Sequence, residues 1–99
     1  MQLKVHSIHF DADDKLLAFI QEKVDKLIHF YDGILGGEVF LRLEKSKDTQ
    51  NKVVHIRLEI AGNDLFVKEQ CRTFEEATDL AVEALRGQIK RHKERIKKL

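Results

Sequence analysis

The sequence predicts an α+β domain in the order β-α-β-β-β-α, a four-stranded sheet with two helices. Three observations predict it. Two stretches carry apolar residues at three- and four-residue spacing, and the segments between them alternate apolar with polar. Turn-forming glycine, asparagine and aspartate punctuate the boundaries. At 99 residues with no proline, the chain has room for one domain, 1–99, without a linker or an internal repeat.

The elements follow in order. Residues 2–8 place Leu3, Val5 and Ile8 in imperfect alternation, which predicts a strand about one residue out of register near its end. Asp13 suits a helix N-cap and Asp14 suits the first turn beside the positive end of the dipole. The helix then runs to about Tyr31, with Leu16, Ile20, Val24, Leu27 and Tyr31 on its core face. Gly33 is expected to end it through a left-handed backbone, and Gly36-Gly37 to form the turn into the next strand. Residues 38–45 and 52–61 alternate strictly, so each has one buried side, and SKDTQNK joins them as a polar loop. Gly62-Asn63-Asp64 is expected to turn the chain into a last strand over 65–71. Thr73 with Glu76 three residues on has the spacing of a capping box. From there Phe74, Ala77, Ala81, Leu85, Ile89, His92 and Ile96 mark one continuous helical face to the C-terminus.

That second helix is long for its sheet. About 25 residues at 1.5 Å each span roughly 37 Å, whereas four strands are only about 19 Å across and run roughly 20–25 Å. Its last turns must overhang, and they carry the charge. Residues 86–99 hold seven basic side chains against Glu94 alone, a balance of +6, while the first 85 residues sum to −5. The formal net charge of +1 therefore describes a segregated molecule. At 3.6 residues per turn, Arg86, Lys90, Lys93 and Lys97 fall on one side of the apolar face and Arg91, Arg95 and Lys98 on the other. Lys15, Lys23 and Lys26 point away from the apolar face of the first helix and could extend the first stripe. Cations late in a helix also suit the macrodipole, but that effect fades within the final turn and does not call for seven of them. Repeated phosphates of a nucleic acid are the natural complement. Stacked base reading is not expected, because Phe40 is the lone aromatic candidate for an exposed sheet face and Phe30-Tyr31 reads as packing. Recognition should run through shape and backbone.

Other classes are disfavoured. No run of about eighteen apolar residues could span a membrane, the N-terminus lacks a signal-peptide core, and the composition points to the cytosol. Cys71, the only cysteine, permits no internal disulfide and reads as a small buried side chain. His6 and His9 are three apart, the wrong spacing for shared ligation from a strand, and His29 and His55 have no visible catalytic partner. No glycine-rich phosphate loop is present, so no enzyme, metal, cofactor or small-molecule substrate is expected. A generic double-stranded-RNA binder and a basic helix docking on an acidic protein are two readings this basic helix allows.

With these residues in view, the chain resembles the short ribosome hibernation-promoting factor and ribosome-associated inhibitor A family over essentially its whole length. MQLKV is similar to the family's first strand. FIQEKVDKLIHFYDGI is similar to its first helix with two lysines three apart, LRLEKSK to its second strand, and FEEATDLAVEALRGQIKRHKERIKK to its aspartate-containing second helix. The resemblance implies a fold like a double-stranded-RNA-binding domain, with both helices on one face of the sheet. It implies binding to the small ribosomal subunit in the channel for messenger RNA and the anticodon ends of transfer RNA, which holds idle ribosomes silent during stress or stationary phase. It assigns contacts with 16S ribosomal RNA phosphates to Lys23, Lys26, Arg86, Lys90, Arg91, Lys93, Arg95 and Lys97. Gly87 departs from the pattern, standing where the family usually has a basic residue, and His92 replaces a common tyrosine. Longer members add a C-terminal dimerisation domain that pairs ribosomes and has no counterpart in these 99 residues, so the chain is not expected to drive ribosome dimers by itself; when free it is expected to be a monomer.

Overall fold

The computed structural model describes residues 3–44 and 49–97. The elements are β1 (Leu3–Ile8), α1 (Asp14–Phe30), β2 (Ile34–Leu43), β3 (Lys52–Ile60), β4 (Asn63–Cys71) and α2 (Phe74–Lys97), in the expected order. The sheet runs β1-β2-β3-β4; β1 lies parallel to β2, and the other neighbours are antiparallel. A parallel pair needs a crossover, and α1 supplies it.

Alternation decides which side of the sheet is covered. Val39 and Leu41 of β2, Val54, Ile56, Leu58 and Ile60 of β3, and Leu65 and Cys71 of β4 are buried in one core with both helices. From α1 come Leu16, Ile20, Val24 and Leu27; from α2 come Phe74, Ala77, Ala81, Val82, Leu85 and Ile89. Removing each large aliphatic side chain from water stabilises the fold by about 1.5–3 kcal/mol before conformational entropy is set against it. Thr78, the one fully buried polar residue described, donates its hydroxyl to the Phe74 carbonyl at 2.7 Å. Among the described residues the opposite sheet face carries no helix.

Local chemistry sets the helix ends. The Asp13 carboxylate accepts the Leu16 amide at 2.8 Å, and Thr73 Oγ1 accepts the Glu76 amide at 3.0 Å. Both side chains satisfy amides that lack a partner in the first turn.

Several local expectations are corrected. Gly33 has no left-handed backbone; α1 ends at Tyr31, which turns extended at φ −147° while its amide still donates to Leu27. Gly33 instead leaves room for the Tyr31 ring, into which a Cβ would collide. Gly36 and Gly37 belong to β2, after an irregularity between Ile34 and Gly36. At Gly37 a Cβ would stand 3.0 Å from Leu58 Cδ2 and 3.2 Å from Leu3 Cδ1, so the glycine admits two core side chains. The β3–β4 turn is Ala61-Gly62, with Gly62 at φ +80° and Asn63 and Asp64 already in β4. In β1 there is no register slip: Ile8 pairs with Arg42 on the uncovered face, and His9 then turns left-handed at φ 65°. Part of the SKDTQNK loop lies outside the described residues.

Candidate nucleic-acid interface

The last fully buried residue of α2 is Ile89; His92 is half-buried and Ile96 half-exposed. Eight residues follow Ile89 within the helix, about 12 Å at 1.5 Å per residue. The expected overhang is therefore present, and the molecule is 48 Å long by 24 Å and 19 Å.

Two aromatic residues at the end of α1 brace the projection. Tyr31 meets His92 edge-on at 5.9 Å between ring centroids. Phe30 lies under two cations of α2, with Arg86 Cζ 5.2 Å and Lys93 Nζ 4.7 Å from its ring centroid. Lys93 also donates to the Phe30 carbonyl at 3.4 Å, where α1 leaves carbonyls without helical partners. Packing was the expected role of Phe30-Tyr31, and the rings additionally hold cations in place.

The eight basic residues divide into groups. Lys23, Lys26 and Arg86 line one hollow between the helices, together with Asp79, Val82 and Glu83. Arg86 also belongs to the next hollow, where Lys90 and Lys93 surround Phe30 and Gly87. Five of the predicted cations thus form one tract along the α1–α2 groove. Arg91 is exposed, with Nη1 3.6 Å from where a Gly87 Cβ would stand. Arg95 sits apart, beside the Ala61-Gly62 turn and His92. The backbone of Lys97 ends α2, and its side chain falls outside the described residues, as does Lys98.

Lys23 differs from the rest. Its ammonium lies 3.2 Å from Asp79 Oδ1 and 5.3 Å from the Phe19 ring centroid. The expected solvent-exposed cation is an interhelical ion pair, because α2 brings Asp79 alongside it. Among the described residues, Lys26, Arg86, Lys90, Arg91, Lys93 and Arg95 make no ion pair. Lys15 does not join the tract; it lines a separate hollow with Asp11, Asp13 and Glu75 at the other end of α1.

One surface was not legible in the sequence. Phe40 is not alone on the uncovered sheet face: His6 stacks on it at 4.9 Å, and His55 and then Phe66 continue the row. Each strand shows only one such ring, so the row exists only once the register is set. Among the described residues there is no cluster of histidine, cysteine or acidic side chains able to hold a metal, and no helix long and apolar enough to cross a membrane. Burial pushes the Cys71 thiol pKa up, and Glu76 and Glu69 add to the effect.

A mixed sheet with two helices on one face and a cationic groove between them defines an α+β domain with a basic helix face. The chain belongs to the family described as sigma 54 modulation protein / S30EA ribosomal protein, whose pattern matches residues 3–97. It is 25% identical over 95 residues to a ribosome hibernation promoting factor of Azotobacter vinelandii, covering 96% of this chain and 85% of the relative. The protein of that name from Escherichia coli strain K12 is 25% identical over 97 residues, 98% of either chain. Among solved structures, a ribosomal subunit interface protein from Coxiella burnetii superposes with a TM-score of 0.83 at 15% identity, over 94% of this chain and 98% of that one. The Thermus thermophilus Protein Y N-terminal domain gives 0.76 at 25% identity, over 90% and 94%. The family is one of ribosome-associated factors rather than enzymes.

Proposed function

We propose that this protein is a hibernation factor whose paired-helix face binds the small ribosomal subunit through phosphates of 16S ribosomal RNA. The site is the channel that otherwise holds messenger RNA and the anticodon ends of transfer RNA. Occupancy blocks translation and preserves idle ribosomes under stress or in stationary phase. The free protein is a cytoplasmic monomer in this reading. Lys26, Arg86, Lys90, Arg91, Lys93, Arg95 and Lys97 contact phosphates, and Lys23 joins them by exchanging Asp79 for a phosphate.

The observation that carries this reading is the state of the cations. From Arg86 to Arg95 none makes an ion pair among the described residues, although Glu83 and Glu94 line the same hollow as Arg86, Lys90 and Lys93. Unpaired charge held on a braced, projecting helix is suited to phosphates, each of which releases a condensed counterion when neutralised. The names of the relatives supply the ribosome as the partner.

The test is co-sedimentation with purified small subunits, followed by competition with messenger RNA and initiator transfer RNA. The protein should pellet with the subunit and be displaced by the competitors together. A K90E/R91E/K93E variant should fold normally yet lose both sedimentation and inhibition of translation in vitro. Unchanged inhibition by that variant would move the site elsewhere.

A further inference from the structure

The uncovered face of the sheet carries a second candidate surface, on the side opposite the helices. Lys4, His6 and Ile8 of β1 stand beside Glu38, Phe40 and Arg42 of β2. These stand beside Arg57, His55 and Val53 of β3, which in turn face Phe66, Lys68 and Gln70 of β4. Across this grid runs a row of four rings. His6 and Phe40 stack at 4.9 Å with 17° between planes, Phe40 and His55 lie 5.9 Å apart, and His55 and Phe66 6.1 Å apart. Phe66 is 53% exposed, well above what a packed phenylalanine shows.

Next to the row is a hollow of about 370 Å³ lined by Ile8, Phe40, Arg42, Val53, His55 and Lys68. Among the described residues its lining holds two cations and no carboxylate. Arg42 spends one guanidinium nitrogen on Glu44 at 3.2 Å, while its Nε is buried without a partner among the described residues. Of the acids elsewhere on this face, Arg57 holds Glu38 and Asp64, whereas the exposed Glu59 makes no ion pair among the described residues. A ligand placed over the rings therefore meets the Lys68 ammonium, which makes no ion pair among the described residues, and an Arg42 guanidinium that already holds Glu44 through one nitrogen.

We propose that this face binds single-stranded RNA, with an unpaired base stacked on the exposed Phe66 ring, neighbouring bases packed over the edges of the His6–Phe40–His55 row, and phosphates held by Lys68 and by Arg42 in exchange for Glu44. An acidic peptide would use the cations but leave the ring row without a function. Duplex RNA hides its base faces. A single strand supplies both features, because every base offers a π-face and every linkage a phosphate. Three inter-strand gaps of about 4.8 Å make the row roughly 14 Å long, room for a few bases. The helix groove and this face lie back to back across the sheet, so both can be occupied at once, and the proposal does not depend on the ribosomal reading.

The probe is a fluorescein-labelled oligoadenylate of about eight nucleotides, within the usual site size of a single-strand binder. Binding is read by fluorescence anisotropy and by the imidazole proton signals of His6 and His55. The oligomer should bind and shift both signals through base ring currents. An F40L/F66L variant keeps apolar area but loses the rings, and it should bind at least about tenfold more weakly, the loss expected for a forfeited base stack. F66Y should retain binding, and equal thermal melting of the variants shows that the fold is intact. F40L/F66L should still co-sediment with small subunits, and K90E/R91E/K93E should keep the histidine shifts, which separates this face from the helix groove. Undiminished binding by F40L/F66L, shifts confined to α2, or no binding by the wild type would overturn the proposal. So would histidine shifts produced by oligoglutamate and not by oligoadenylate, which would assign the face to an acidic protein segment.

Discussion

Arg57 shows how one side chain organises several neighbours. Its Nη2 donates to Glu38 Oε1 at 2.6 Å and its Nη1 to Asp64 Oδ2 at 2.9 Å, while His6 Nε2 meets the other Glu38 oxygen at 3.0 Å. The Arg57 hydrogen bond, followed by that of His6, holds the Glu38 carboxyl below the usual carboxylate range, and the hydrogen bonds to Glu38 and then Asp64 raise the Arg57 pKa. For a depressed carboxyl the sign is fixed: its stabilising contribution is present above the unfolded pKa and fades as pH falls through the folded one. In an NMR titration the Glu38 side-chain carbonyl should therefore show a midpoint below that of an ordinary glutamate, and R57A should move it upward. An unmoved midpoint would mean that the Arg57 contacts are not made in solution. Such a cross-strand network is invisible in the sequence, because Glu38 and Arg57 become neighbours only through the β2–β3 register. The same holds for Lys23 and Asp79. Periodicity placed Lys23 on a polar face correctly, but it could not reveal the carboxylate that another helix would bring.

At the scale of elements, Gly87 offers the sharpest test. Glycine inside a helix costs about 0.8–1 kcal/mol relative to alanine. An added Cβ at this position would meet only Arg91 Nη1, at 3.6 Å, an ordinary contact with a flexible side chain. G87A should therefore stabilise the protein by up to about 1 kcal/mol, read as a higher urea midpoint with an unchanged slope. A lower midpoint would show that the hollow around Phe30 needs the missing side chain. Elements with one buried side were the legible part of the sequence: the alternation in 52–61 and the helical spacing from Phe74 to Ile89 both correspond to observed burial, apart from Val53, which is buried although it faces away from the helices. Boundaries set by contacts between elements were not. Gly33 and Gly36-Gly37 resembled local punctuation, yet the Tyr31 ring explains the first, and the Leu3 and Leu58 side chains explain Gly37. Ile8 likewise suggested a slip only because apolar residues were assumed to point one way, whereas it helps line the hollow on the uncovered face. The cationic tract was legible because it is local to one helix. The ring row was not, because each strand contributes one member.

For the whole molecule, the separation of charge from core makes a quantitative demand. Among the described residues the tract along the groove holds Lys26, Arg86, Lys90 and Lys93 without carboxylate partners, Arg91 is exposed on the same helix, and Arg95 stands apart beside the Ala61-Gly62 turn. If these six side chains each neutralise one phosphate, log affinity for the small subunit should fall against log salt with a slope of roughly −4 to −5. Lys23 should add little to that slope, since a phosphate merely replaces the Asp79 it already faces at 3.2 Å. K23A should thus leave the slope nearly unchanged, whereas K90A should flatten it by roughly 0.7–0.9, the release of one counterion. Co-sedimentation across a salt series measures both. A slope near zero would indicate a partner held by apolar contact, and equal effects of K23A and K90A would show that the Lys23–Asp79 pair does not persist in the free protein. The contrast between the two lysines follows from their surroundings alone: both are basic residues on helices that border one groove, and a single carboxylate from across it separates their roles.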